Sequence, residues 1–122
     1  MKSHSSDFNP DSLLPLPSAA FHILIALADG DRHGYAIMQD VAAATGGRFK
    51  LNPGTLYTTI RRLLEQGLII ELDERPDPDE DDERRRYYRL TAMGREVAKA
   101  EAMRLQQALS FARQAGLAPK RT

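Results

Sequence analysis

Apolar positions along this chain recur at helical spacing in four stretches and follow a β pattern in two short ones. Ala20, Ile23, Leu24 and Leu27 make the first stripe, with Pro17 ahead of it and Asp29-Gly30 closing it, so a helix is expected over Ser18 to Ala28. His33-Gly34-Tyr35 opens the second, whose apolar face is Ile37, Met38, Val41 and Ala42 and whose end is Thr45-Gly46-Gly47. The third has the best-marked ends. Asn52 is a good N-cap, Pro53 suits the first helical position, where a missing N–H costs nothing, and Gly67 supplies a left-handed stop. At about 100° per residue, Leu56, Ile60, Leu63 and Leu64 fall on one side. Thr55, Thr58, Arg61 and Arg62, with Glu65 at the far end, fall on the other.

Past Gly67, Leu68-Ile69-Ile70-Glu71-Leu72 is strongly β-forming, and Arg85 to Leu90 alternates so that Tyr88 and Leu90 share a face. The two read as strands of a hairpin whose tip, charged and broken by proline, is expected to be mobile. Thr91 can cap a last helix that runs to about Ala115, ahead of Gly116 and Pro119. Along it Ala98, Ala102, Leu105, Leu109 and Ala112 repeat at the spacing of a helix-pair seam. The chain therefore divides into a flexible arm or short docking segment over 1–15, a helix-and-hairpin domain over 16–90, a dimerisation helix over 91–116 and a tail over 117–122. Helices two and three flank a short turn, and a hairpin follows. The fold class is mainly α: a winged helix-turn-helix of three helices plus a two-stranded β-wing, with a C-terminal dimerisation helix.

Charge changes this picture once it is located. The 122 residues carry 17 basic and 17 acidic side chains, a formal net charge of zero that argues against a nucleic-acid partner only if spread evenly. The segment from Asp73 to Glu83, DERPDPDEDDE, holds 8 acids and 1 base, leaving 9 acids and 16 bases elsewhere, a net +7. A basic body thus carries an acidic loop. The absence of cysteine excludes disulfides, thiolate metal sites and thiol catalysis. The apolar runs fall short of the roughly 18 to 20 residues that span a bilayer, and MKSHSSDFNPD has no signal-peptide core, so a cytoplasmic location is expected.

The outward face of the Asn52 helix is where nucleic-acid chemistry concentrates. A guanidinium can bond guanine bidentately and a threonine methyl can touch thymine, so Thr55, Thr58, Arg61 and Arg62 are candidate readers; the bland alternative is a solvated helix face. Lys50, Asn52 and Gly54 lie at the helix start, and Tyr57 either packs its ring or sends its hydroxyl to a phosphate. Arg84, Arg85 and Arg86 are either a phosphate clamp at the wing base or neutralising partners for the adjacent acids. His33 is expected to be a local hydrogen-bonding residue and His22 structural; with His4 they make no metal-ligand spacing. Met103 and Phe111 either line an effector pocket at the seam or form ordinary dimer core. No nucleophile–base pair, phosphate loop or metal site is legible, which argues against an enzyme and for no cofactor.

In order and spacing, His33-Gly34-Tyr35, Thr45-Gly46-Gly47, Pro53-Gly54-Thr55-Leu56-Tyr57, Arg61-Arg62-Leu63, Gly67-Leu68-Ile69, Tyr87-Tyr88-Arg89-Leu90-Thr91 and Gly94-Arg95 resemble the PadR family of winged-helix transcriptional regulators in its short form. The resemblance covers about residues 17 to 110. It implies a homodimer joined through the C-terminal helix, binding double-stranded DNA, repressing a nearby operon and, in some members, released by a phenolic or small hydrophobic effector. Members often carry proline directly after the Gly-Thr-Leu-Tyr block, where this chain has Thr58, and commonly have a short wing tip. The other reading of the same features is a winged-helix module for protein contacts, docking a basic partner through its acidic loop.

Overall fold

The computed structural model describes residues 8–72 and 86–119. The first segment after Phe8 is a 3-10 helix, Pro10–Leu13, opened by Asn9, whose side chain accepts the Asp11 N–H at 3.0 Å. Then come α1 (Ser18–Ala28), β1 (Arg32–His33), α2 (Gly34–Ala44), α3 (Pro53–Glu65), β2 (Ile69–Glu71), β3 (Tyr87–Leu90) and α4 (Ala92–Gln114).

The apolar stripes meet as their spacing requires. Ile23, Leu24 and Leu27 of α1, Ile37 and Val41 of α2, and Leu56, Ile60 and Leu63 of α3 enclose one core. Leu68, Ile69, Tyr88 and Val97 close it on the sheet and α4 side. Each helix starts on a side-chain cap where the sequence offers one. The His33 Nδ1 accepts the Ala36 N–H at 3.1 Å, and the Thr91 hydroxyl accepts the Gly94 N–H at 3.0 Å. Gly67, at φ 78°, takes the left-handed turn after α3, a conformation that would strain a side chain.

The expected two-stranded wing is a three-stranded antiparallel sheet in the order β1-β3-β2. Ile69, Ile70 and Glu71 pair with Leu90, Arg89 and Tyr88, and β1 adds Arg32 opposite Tyr88 and His33 opposite Tyr87. Two residues carry no readable periodicity; β1 is held by tertiary contacts instead. The Asp31 carboxylate accepts from Arg89 at 3.1 and 2.9 Å, and Arg32 pairs with Asp40 at 3.0 Å. The Asp31 carboxyl accordingly sits below its ordinary range, chiefly through the Arg89 hydrogen bond.

Residues 8–15, read as part of a flexible arm or a short docking segment, are docked. Phe8, Leu13 and Leu14 pack on the core and Leu16 is buried in it. The anchor is a buried carboxylate on α4: Glu101, 2% exposed, accepts the Leu16 N–H at 3.2 Å and is gripped by Arg104 through Nε at 2.6 Å and Nη2 at 3.0 Å. A stretch of prolines and three leucines looks mobile in isolation, yet its apolar side chains pack on the core and one backbone N–H has its acceptor 85 residues away. Residues 1–7, 73–85 and 120–122 lie outside the described residues, and with them the expectations for the start of the arm, the acidic tip and the end of the tail.

Beyond Arg104, α4 has no buried residue. Its first turns bury Gly94, Val97 and Glu101, and after Arg104 the helix is exposed except at the half-buried Ala112 and Arg113. Of the seam residues, Ala98 packs partly on its own core, Ala112 is half-buried, and Ala102, Leu105 and Leu109 are exposed. Met103 and Phe111 are exposed as well, at 54% and 73%.

Candidate nucleic-acid interface

α3 is built to present one face. The Asn52 side chain accepts the Thr55 N–H at 2.8 Å, fixing the first turn, and Pro53 occupies the first helical position. With Leu56, Ile60 and Leu63 buried, Gly54, Thr55, Thr58, Arg61, Arg62 and Glu65 are all exposed, and Lys50 is exposed just ahead of the helix. Tyr57 is half-buried at the edge of the two faces. Asn52 itself is spent on the cap, which makes it a builder of the face. Thr58, Arg61 and Arg62 also line an open groove of about 600 Å³, whose other wall is Leu13, Leu16, Pro17 and Ala20. The docked N-terminal segment therefore runs beside the reading face.

The distribution of unpaired positive charge is the most informative electrostatic feature. Among the described residues, Arg32, Arg86, Arg89, Lys99 and Arg104 are in ion pairs, and Arg95 and Arg113 donate to backbone carbonyls. The described cations outside such pairing are Arg48, Lys50, Arg61 and Arg62. All four sit on the α2–α3 turn or on α3. An exposed cation without an internal partner keeps its full charge for a polyanion, whereas a paired one must first give up its carboxylate.

Arg86 shows the difference. The sequence offers it as a phosphate clamp or a neutralising partner at the wing base, and it pairs with Glu71 across the hairpin at 3.1 Å. Arg84 and Arg85 lie outside the described residues. Arg48, exposed beside Lys50, belongs with the candidate set although periodicity cannot single it out; its signal is simple adjacency to the α3 start.

The perturbed titrations serve the frame. Burial pushes the Tyr88 hydroxyl up to about 12, with Glu71 and then Tyr57 adding to the rise. The Glu101 carboxyl is held low by its Arg104 hydrogen bond, against the opposing effect of burial. These shifts move away from neutrality, opposite to what proton transfer near pH 7 requires. Among the described residues no group of acids and histidines is placed to hold a metal ion, and no helix is long and apolar enough to cross a membrane.

Comparison with known proteins settles the family. A family model described as the transcriptional regulator PadR-like family matches residues 23–100, from α1 into α4. The chain belongs to the PadR-like family of transcriptional regulators. This PadR-like chain is 33% identical over 86 residues to a transcriptional regulator of Mycobacterium tuberculosis, covering 70% of this chain and 74% of that one. It is 40% identical over 80 residues to an uncharacterised 37.1 kDa transposon protein of Streptomyces fradiae, 66% of this chain but 21% of that protein's length. Among solved structures, a transcriptional regulator from Clostridium thermocellum aligns at TM-score 0.66 and 26% identity, over 78% of this chain and 89% of that one. A PadR family transcription regulator from Clostridium difficile aligns at TM-score 0.65 and 22% identity, over 80% and 97%, a likeness of fold. The winged-helix fold and DNA-binding regulation read from the sequence are thus those of the family.

Proposed function

We propose that this PadR-like regulator is a homodimeric, sequence-specific repressor that places α3 of each subunit in a major groove, with half-sites about 34 to 36 Å apart as duplex geometry requires. The observation that carries this reading is the gathering of Arg48, Lys50, Arg61 and Arg62, the unpaired described cations, on one turn and one helix. Thr55, Thr58 and Gly54 share that face and contribute shape and methyl contacts, while Arg61 and Arg62 contact bases or phosphates. Dimerisation uses the α4 seam of Ala98, Ala102, Leu105, Leu109 and Ala112, the second half of which has no fully buried residue in a single chain.

Release by a small hydrophobic or phenolic effector is the finer part of the proposal. Met103 and Phe111, read as either effector-pocket or dimer-core side chains, are exposed on α4 and line neither the α3 groove nor a second groove of about 640 Å³ between α1 and α2. An effector would therefore meet them at the dimer seam. Selection of bound fragments from genomic DNA, followed by footprinting, tests the function. The same short sequence should be protected by the wild type and altered or lost in Arg62→Ala and Thr58→Ala. Protection of arbitrary DNA, or a footprint unchanged in both variants, refutes the proposal.

A further inference from the structure

Gly34, the first residue of α2, is buried, and its backbone does not occupy the left-handed region that favours glycine. Glycine is a poorer helix former than alanine, so nothing local calls for it there. What calls for it is Tyr57. A Cβ built on Gly34 would lie 2.5 Å from the Tyr57 Oη, 3.0 Å from Cζ and 3.1 Å from Cε1. Non-bonded carbons rest at about 3.5 to 4.0 Å, so the outer edge of the ring fills the space a side chain would take.

The start of α2 is also pinned from the wing. The His33 ring meets the Tyr87 ring of β3 edge-on, with centroids 5.2 Å apart at 88°, while its Nδ1 caps α2. Tyr57, on the reading helix, is near enough to Tyr88 of β3 to influence its hydroxyl. The start of α2 is therefore one junction, held to the wing through His33 and to the reading helix through Gly34 and Tyr57.

We propose that the Gly34–Tyr57 contact sets the orientation of α3 against α2 and the wing, so that Tyr57 is a positioning residue for operator recognition and Gly34 is the space that admits it. This rests on the proposed operator binding. A side chain at Gly34 displaces the ring and with it the α3 backbone from which Thr58, Arg61 and Arg62 project. The charges on the face are untouched. Sequence discrimination, which depends on placement, therefore falls, while the salt-sensitive affinity for any duplex, which depends on charge, stays.

The test uses the full chain with the selected operator and a random duplex of equal length, for wild type, Gly34→Ala, Tyr57→Leu and Gly34→Ala/Tyr57→Leu. Leucine lacks the Cζ, Cε1 and Oη atoms that crowd the added methyl. Gly34→Ala is expected to weaken operator binding at least about tenfold, the size of one base-pair mismatch, with random-duplex affinity within about threefold. The double variant should bind the operator as Tyr57→Leu does and more tightly than Gly34→Ala. If Gly34→Ala does not fold, restoration of its helical circular dichroism in the double variant is the equivalent supporting result. Wild-type operator affinity in Gly34→Ala overturns the inference, as does a double variant that is weaker than, or no better folded than, Gly34→Ala. A wild type that fails to distinguish operator from random duplex instead refutes the underlying function.

Discussion

Arg104→Ala should destabilise the protein well beyond what an exposed arginine on a helix normally contributes. The Glu101 side chain is 3% exposed and the Arg104 side chain 42%, so the pair is a buried carboxylate gripped from the surface. Removing the guanidinium strips two of the three donors from that carboxylate and leaves it with the Leu16 N–H. Removing one member of a fully buried pair costs about 3 to 5 kcal/mol, because the remaining charge is uncompensated. Water entering from the Arg104 side screens part of it, which brings the expected loss to about 2 to 3 kcal/mol. Glu101→Gln/Arg104→Ala removes the orphaned charge while keeping an acceptor for Leu16, and its loss should be nearer 1 kcal/mol. The double variant is thus expected to be the more stable of the two. The assay is urea unfolding at pH 7 and fixed protein concentration, since a dimer's stability depends on concentration.

The pH dependence gives an independent check. Arg104 holds the Glu101 carboxyl below its ordinary value of 4.5, so the pair's contribution is fully present above that value and is lost as pH falls through the lowered one. Without Arg104, burial raises the carboxyl instead, and protonation relieves it. The gap between wild type and Arg104→Ala should therefore narrow on acidification from pH 7 to pH 4. An Arg104→Ala protein within about 0.5 kcal/mol of wild type, or a double variant less stable than the single one, would refute the reasoning.

Three further outcomes follow from the same structure. Asn52→Ala removes the acceptor that caps α3 and should cost about 1 kcal/mol, read as a lower thermal midpoint together with weaker operator binding. Leu109→Asp places a charge in the exposed α4 seam and should shift the sedimentation coefficient to that of a monomer while far-UV circular dichroism stays unchanged; a persistent dimer would exclude this seam. Arg61→Ala/Arg62→Ala should flatten the slope of log affinity against log salt by about 1 for each phosphate that the variant no longer neutralises, and an unchanged slope would place the phosphate-binding cations elsewhere.

The sequence made the helices legible because each is amphipathic and has a chemical stop. Ala20, Ile23, Leu24 and Leu27, followed by Asp29-Gly30, mark Ser18–Ala28 to the residue, and Asn52-Pro53 marks the start of α3. What stayed hidden depends on contacts between distant residues. β1 is two residues long and exists through its pairing with β3 and the Asp31–Arg89 bond. Glu101 reads as one more polar residue on a long helix, because its burial comes from the N-terminal segment folding back over it. The candidate site was legible as a face. Periodicity separated Thr55, Thr58, Arg61 and Arg62 from the stripe beneath them, but it carried no information on pairing: Arg86 is engaged by Glu71 while Arg61 and Arg62 are unpaired among the described residues. The tight fit of Tyr57 on Gly34 was equally invisible, since helical spacing says nothing about how neighbouring helices touch.

The most direct test of the central claim, that the cations and threonines of α3 read sequence, is a fluorescence anisotropy titration of the full chain at physiological salt against its selected operator and a random duplex of the same length. The account predicts operator binding at least about 10³-fold tighter than random binding, with Arg61→Ala/Arg62→Ala collapsing most of that ratio. Equal affinity for the two duplexes, or a ratio unchanged in the double variant, would contradict it.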